Sequence, residues 1–480
     1  MRFHMTLWRV QKQYSDMTMA EISNNNMVSN DLVHSSVEPK NELAYEEVVE
    51  HIRSLINDKR MSFMQILVVL ICFTLNMLDG MDVVLMSYAA PSLALDWSIP
   101  ASALGIVFSA ALVGMTAGCL LIAPYADVIG RRKMIMLALF MIAGGMIFSG
   151  IAHNVVQLAL ARVHTGLGVG ALLASMAAMT SEFSSEKRRN LCVTFLQAGF
   201  PLGAIITGFV SADIIPALGW RPMFIGAGVI TGMMLPVVYF YLPESLEFLL
   251  KKQPANALNK MNRTLTRMGA STLHSLPEKP ADSDKKQSVK ALFGSRAFST
   301  SMLWTGVFMG FFTLYFVISW IPKIAVDAGL ALENAIYAGT AYNVGSIIGS
   351  IFLGWISAYF GLQRMILAFF FAAVVALIFF GNVSMGLTGI LFCSLLIGIT
   401  VNGGFNGFWP VAARLYPTEI RTTGIGWALG AGRAGAVLGP LVGGYLLDSG
   451  VGLSITFVIF AIPLVFAGIA ANLIRTRDFT

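Results

Sequence analysis

Asp79 and Asp82 stand three residues apart in "LDGMD", inside an apolar run where a carboxylate is costly. Translocon-type scales place one central aspartate at roughly +2.5 to +3.5 kcal/mol. A charged carboxylate there must face a wet cavity, pair with a cation or bind a proton. Three residues turn a helix through about 300°, so the two share a face. When both are ionised they repel, and burial adds to the cost, so a proton on one relieves the other. That is the property a proton-coupled carrier needs. The plainer reading is that one carboxylate locks helices through a salt bridge. Gly80 between them permits close approach of a ligand or a neighbouring backbone.

Arg162 and Arg433 are the basic residues that fall in mid-span. A guanidinium stays charged and offers two parallel donors to a carboxylate. Arg433 is therefore a candidate ligand for a substrate carboxylate, or else one half of an intramembrane ion pair with Asp82. Arg162, in "ARVHTGLGVG", is either a proton-coupling partner or a structural pair. Aromatic ligands need flat apolar walls with a few polar groups. Tyr315, Tyr342, Asn343, Asn402 and Asn406 could supply them, the last two being one helical turn apart. Trp320, followed by Pro322 and Lys323, reads as an interfacial belt residue. Gly166, Gly168 and Gly170 follow no strand, so they indicate helix packing rather than nucleotide binding.

The elements that must hold these residues follow from composition. The 480 residues are 56% hydrophobic and only 12% charged, with a mean hydropathy of +0.72. Soluble domains run near about 25% charged. Twelve apolar runs long enough to cross a bilayer fall near 62–90, 101–124, 133–152, 155–180, 191–213, 222–242, 299–321, 333–358, 364–382, 386–411, 422–447 and 452–474. The expectation is an all-α polytopic membrane protein. Of the 32 lysines and arginines, 28 fall on one side of it. The positive-inside rule then places both termini in the cytoplasm, and the expected location is a bacterial inner membrane. The net charge of +6 reflects this topology and calls for no nucleic-acid partner. Neither a metal cluster nor a nucleophile triad nor an ATP loop points to an enzyme or a cofactor. Cys72, Cys119, Cys192 and Cys393 lie far apart in apolar runs and read as small hydrophobes in packed helices.

Residues 1–60 are polar, show no sustained apolar period, and read as a disordered cytoplasmic tail. Residues 249–297 read as a cytoplasmic linker between six-helix bundles at 61–248 and 298–475, with 476–480 as a cytoplasmic C-terminus. The halves repeat. "APYADVIGRRKM" (123–134) and "GWISAYFGLQRM" (354–365) are offset by 231, "TSEF" (180–183) and "PTEI" (417–420) by 237. Gly199-x-x-x-Gly203 and Gly435-x-x-x-Gly439 are offset by 236, which sets Gln197 opposite Arg433. Different polar groups at equivalent points suit an asymmetric ligand. Parallel halves imply a substrate site between them near mid-membrane.

Twelve spans, a six-plus-six repeat and "DVIGRRK" after span 2 resemble the major facilitator superfamily, whose pattern there is Gly-x-x-x-Asp-Arg-x-Gly-Arg-Arg. Asp127, Gly130, Arg131 and Arg132 match it, while Ala123 and Val128 depart, and the second copy has Ala358 for the aspartate. "LDGMD", "YFVISWIP" and "YPTEIRTTGIGWALGAGRAGAVLGP" together resemble the aromatic acid:proton symporter family over residues 61–475. The resemblance implies import of an aromatic carboxylate or ring-cleavage diacid with protons, by alternating access between two pseudo-symmetric bundles. Proton coupling is expected at Asp79, Asp82 and Arg162. Substrate contacts are expected from Asp82, Arg433, Gln197, Tyr315, Tyr342, Asn343, Asn402 and Asn406. The resemblance also implies a conformational latch at Asp127, Gly130, Arg131 and Arg132. Asp127 would hold the outward-facing state against the N-terminus of span 11, where the helix dipole is positive. A proton antiporter exporting drugs or aromatic compounds, and a transporter-like sensor, are the alternatives; Arg433 argues against a cationic cargo. The expected partners are a small organic anion, protons and the lipid bilayer. A monomer suffices, and the oligomeric state is open.

Overall fold

The computed structural model describes residues 61–277, 292–294, 296–383 and 385–475, together with 45, 47–50, 52 and 54. Among the described residues there are helices and turns and no strand. Twelve helices are long and apolar enough to cross a membrane, and they are numbered as spans 1 to 12. The first six are Phe63–Trp97, Ala101–Ile129, Arg131–Ile151, Val155–Phe183, Arg189–Leu218 and Arg221–Tyr241. The second six are Ala297–Asp327, Leu332–Phe360, Leu362–Asn382, Leu387–Leu415, Thr423–Asp448 and Leu453–Leu473. Span 1 opens on a capping box, Ser62 with Gln65, and the Gln65 amide also donates to the Phe183 carbonyl that ends span 4. It runs on through Pro91 to Trp97, past the expected end at 90. A proline breaks a helix less readily inside a packed membrane bundle, where neighbours satisfy the released carbonyl.

The repeat is visible in how helices touch. Span 5 lies against span 1, span 4 against spans 2 and 3, and span 6 against span 3. Span 11 likewise lies against span 7, span 10 against span 8, and span 12 against span 9. Small residues set each crossing. A Cβ at Gly199 or Gly203 would collide with the backbone of Phe73 or Met77, and one at Gly435 or Gly439 with that of Phe308 or Phe312. Gly114 and Gly118 press on the carbonyls of Val163 and Leu167, as Gly345 and Gly349 do on Leu395 and Ile399. The second set reproduces the first at offsets of 231 to 236.

The halves meet through spans 2 and 11, 5 and 8, and 1 and 7. The hydrogen bonds joining them concentrate at the end away from the basic turn Arg131–Lys133. Ser102 donates to Asp448 at 2.7 Å and Ser109 to the Val437 carbonyl at 2.7 Å. Ser87 reaches the Ile318 and Ser319 carbonyls at 2.8 and 2.9 Å. Asn343 donates to the Tyr88 hydroxyl at 3.4 Å. Trp320 corrects its reading as a belt residue. It is fully buried, its indole N–H donates to the Pro440 carbonyl at 3.1 Å, and its ring meets Phe108 edge-on across the seam. Spans 1, 2, 7, 8 and 11 therefore seal this end.

Both polar segments contain helix. The segment expected as linker from 249 contains helix Ala257–Met268 and the end of helix Leu246–Lys252. Its residues 278–291 and 295 lie outside the described residues. The tail expected to be unstructured is helical at 45, 47–50, 52 and 54, with Ile52 buried and Tyr45, Val48 and Val49 packed on the core. Those four positions follow the i, i+3, i+4, i+7 spacing of an amphipathic helix, a short apolar period in an otherwise polar stretch. Residues 1–44 and 476–480 lie outside the described residues.

Gly339 lets span 8 close on span 1. A Cβ there would lie 2.7 Å from the Tyr88 ring and 3.1 Å from Pro322. Overpacking costs about 1–3 kcal/mol, so Gly339→Val is expected to shift the balance against the sealed end by roughly 5- to 150-fold. Disulfide trapping of cysteines placed at Ser102 and Asp448 reads this, and an unchanged yield would contradict it.

Candidate functional site

Asp79 and Asp82 are both buried, 3% and 2% exposed, yet they do not share a task. About 60° of helical phase separates them. Asp82 turns into the first half, where Arg162 of span 4 meets it with both guanidinium ends. Nη1 donates to Oδ1 at 2.6 Å and Nη2 to Oδ2 at 3.1 Å, with a further contact to the Asp82 carbonyl at 3.3 Å. Met146 of span 3 and the Phe224 ring of span 6 close the guanidinium in. The suggested Asp82–Arg433 pair is thus not what the fold makes. Arg162 reaches Asp82 from within the same half, and its two parallel donors leave the carboxylate no face toward Arg433. Gly80 serves the crossing of spans 1 and 5, since a Cβ there would collide with the Phe200 backbone.

Arg433 is 7% exposed and has no carboxylate within ion-pair distance among the described residues. It crosses from span 11 toward span 2, where Nη1 donates to the Met115 sulfur at 2.7 Å. Nη1 also reaches the Tyr315 hydroxyl at 3.3 Å, the Phe311 ring lies 5.8 Å from the guanidinium carbon, and Nε has no partner. Asp79 lies within electrostatic reach of Arg433, and its Oδ1 is buried without a hydrogen bond. The Tyr342 hydroxyl is likewise buried and unpartnered, beside Tyr315. Phe405 completes an aromatic wall, 4.4 Å from Phe311 by ring centroids. The arrangement is a cation, an acceptor and two phenols around apolar rings, at mid-depth between the halves.

The other expected residues fall into three places. Gln197 is exposed on span 5, three turns from Gly208, which packs against Thr340 of span 8; it therefore lies on the face turned to the second half. Asn343 is committed to Tyr88 and to the Gly339 carbonyl, at the seam. Asn402 and Asn406 donate to Ser346 and Ser350, so their amide nitrogens rivet span 10 to span 8. Met115, Phe311 and Tyr88, which sequence reasoning did not single out, take part in the site or its seam. A methionine or phenylalanine in an apolar run carries no signal of its own, and only the position of Arg433 selects them.

At the basic end, Gly130 turns at φ 103 and Gly361, 231 residues on, at φ 86, a region that favours glycine. A side chain at 130 would strike Glu244. Arg131 pairs with Glu182 and Glu247, and the Arg132 backbone N–H donates to Glu244 at 3.0 Å. Ser245 donates to Glu182 at 2.7 Å. Asp127 is exposed and makes no hydrogen bond or ion pair among the described residues. Three of the four expected latch residues are thus held by the ends of spans 4 and 6 and the helix after them, within one half.

This architecture and site agree with what the chain resembles. The Major Facilitator Superfamily profile matches residues 72–403 and 324–479. The 4-hydroxybenzoate transporter PcaK of Acinetobacter baylyi is 33% identical over 87% of this chain and 93% of its own length. The gallate transporter of Pseudomonas putida is 32% identical over 87% and 94%. Among solved structures, a bacterial homologue of the human lysosomal transporter Spinster, inward-facing and unoccupied, superposes with a TM-score of 0.68 at 17% identity, covering 87% of this chain and 98% of that one. The chain belongs to the major facilitator superfamily, and it is a multi-pass membrane protein of the transporter class.

Removing one partner of a buried ion pair costs about 3–5 kcal/mol because the other charge stays buried. Asp82→Asn is therefore expected to lower the thermal midpoint of the detergent-solubilised protein markedly. Asp79→Asn, whose Oδ1 has no partner to lose, is expected to change it little. Equal losses for the two variants would contradict this division.

Proposed function

We propose that the protein imports small aromatic carboxylates together with protons, across a bacterial cytoplasmic membrane with both termini inside. The observation that carries this reading is Arg433, a buried guanidinium with no carboxylate partner among the described residues, set among aromatic rings between the halves. A low-dielectric site holding such a cation favours an anion, and a planar carboxylate fits its paired donors. Phe311, Tyr315 and Phe405 offer flat faces to a ring. The aromatic acids in the relatives' names fit this chemistry.

Proton coupling follows from competition for one cation. With the site vacant, Arg433 offsets the charge of Asp79. When a substrate carboxylate claims the guanidinium, Asp79 loses that support and takes a proton instead. Asp82 and Arg162 hold span 1 in the register that aims Asp79 at the site. One proton with a monoanion moves no net charge, whereas two gain about 2.3 kcal/mol per 100 mV. The positive-inside rule makes the basic end cytoplasmic, so the seal on the opposite end makes this state inward-facing. Asp127 disengages from span 11 in this state and latches it in the outward-facing one.

Uptake of labelled 4-hydroxybenzoate by cells expressing the protein tests the reading. A protonophore is expected to abolish accumulation. Arg433→Gln is expected to raise KM by about tenfold to a hundredfold, the loss of a charge-assisted bond of about 1.5–3 kcal/mol. Uptake indifferent to the protonophore would sink the coupling, and an unchanged KM would remove Arg433 from the site.

A further inference from the structure

Asn402 and Asn406 carry acceptors as well as the donors that hold them. On span 8 the Ser350 hydroxyl gives its one hydrogen to the Ser346 carbonyl, at 2.7 Å. It can therefore only accept from Asn406, whose Nδ2 donates to it at 2.7 Å. The serine thus orients the amide, with nitrogen toward span 8 and Oδ1 away from it. Asn402, one turn earlier, likewise turns its nitrogen to the Ser346 hydroxyl. Both asparagines are half-buried, and neither Oδ1 has a hydrogen-bond partner among the described residues.

The crossing of spans 8 and 10 does not need these amides. At the offset of 231, Ser346 and Ser350 correspond to Met115 and Cys119 of span 2, and at 232 the asparagines correspond to Gly170 and Ala174 of span 4. The first half makes the equivalent crossing by direct contact, since a Cβ at Gly170 would collide with the Met115 carbonyl. The second half has its own such contact at Gly398, which presses on the Tyr342 carbonyl, and adds the amides to it. Span 9 packs on Gly404 and Gly407 and span 7 on Phe405 and Phe408, so Trp409 and the asparagines turn to the space between spans 7 and 8. Trp409 is half-buried there, its ring edge-on to Phe405 at 5.7 Å. Phe405 meets Phe311 at 4.4 Å, and Phe311 lies 5.8 Å from the Arg433 guanidinium carbon. A row of rings therefore runs from the free cation to the open amide oxygens.

We propose that the Asn406 Oδ1 accepts the hydrogen of a ring hydroxyl opposite the carboxylate of a bound aromatic acid, and so makes the site prefer such acids to those without one. This rests on the anion-site reading given above and names the group that reads the far edge of the ring. An ionised carboxylate has no hydrogen to offer an amide carbonyl, so the two ends of the ligand are not interchangeable. Arg433 takes the charged end, the rings take the flat faces, and Asn406 takes the phenol. A ring without a hydroxyl displaces water from the amide oxygen and returns nothing to it.

The test is isothermal titration calorimetry of purified full-length protein with benzoate, 4-hydroxybenzoate and 4-methoxybenzoate. The methoxy ether keeps the ring oxygen and lacks its hydrogen. The wild type is expected to bind 4-hydroxybenzoate about tenfold more tightly than either of the others, the worth of one hydrogen bond. Asn406→Leu is expected to bring the three dissociation constants together. Ser350→Ala frees the amide to turn without removing it and is expected to narrow the preference. An amide that only joins helices predicts equal losses for all three acids. Equal binding of the three by the wild type overturns the inference, as does a preference kept in Asn406→Leu, and either leaves the functional reading intact. Should Asn406→Leu fail to fold, a full preference kept in Ser350→Ala overturns it. Failure of all three acids to bind the wild type overturns both.

Discussion

A guanidinium cannot lose its water inside a membrane protein unless something else meets its charge, and two are buried among the described residues. Arg162 has its charge met by the Asp82 carboxylate, in a two-pronged bond within one half of the molecule that leaves only Nε without a partner. Arg433 is met by a sulfur, a phenol and a ring, none of them an anion. The difference organises the rest. The satisfied pair fixes span 1 against span 4, and that fixes where Asp79 points. The unsatisfied cation defines the place where a charge is missing.

The two halves are built on one plan and then made unequal. Glycines at equivalent positions bring span 5 onto span 1 and span 11 onto span 7, so both halves present the same backbone frame. Side chains break the symmetry at mid-depth. The second half lines spans 8 and 10 with serines bridged by asparagines, while the first offers Met115 and Cys119 opposite glycine and alanine. Gln197 stands where the second half has Arg433. A symmetric frame suits rocking of one half on the other, and an unequal lining suits a ligand with one charged end and one flat end.

Charge at the basic end is arranged on a different principle. Arg131 and Arg132 draw in Glu182, Glu244 and Glu247, near water, where single ion pairs contribute little but a network fixes geometry. These contacts stay within one half. Most links between the halves sit at the other end and consist of single hydrogen bonds and aromatic edges with no ion pair among them, and these separate at lower cost than ion pairs would.

Much of the fold was legible because a bilayer imposes so few solutions. Twelve apolar runs, a bias of basic residues and glycines at a fixed offset are one-dimensional signals, and lipid converts them into twelve helices in two related groups. The importance of Asp79, Asp82, Arg162 and Arg433 was legible for the same reason, since a charge in an apolar run is costly wherever it points. Their partners were not. Whether Asp82 meets Arg162 or Arg433 depends on about 60° of helical phase and on which helices cross, and sequence spacing cannot resolve that. The roles of Asn402, Asn406 and Trp320 were decided the same way, by a serine or a carbonyl brought near from a distant span. Cost along the chain is a property of the sequence; compensation of that cost is a property of contacts between helices, and only the tertiary structure supplies it.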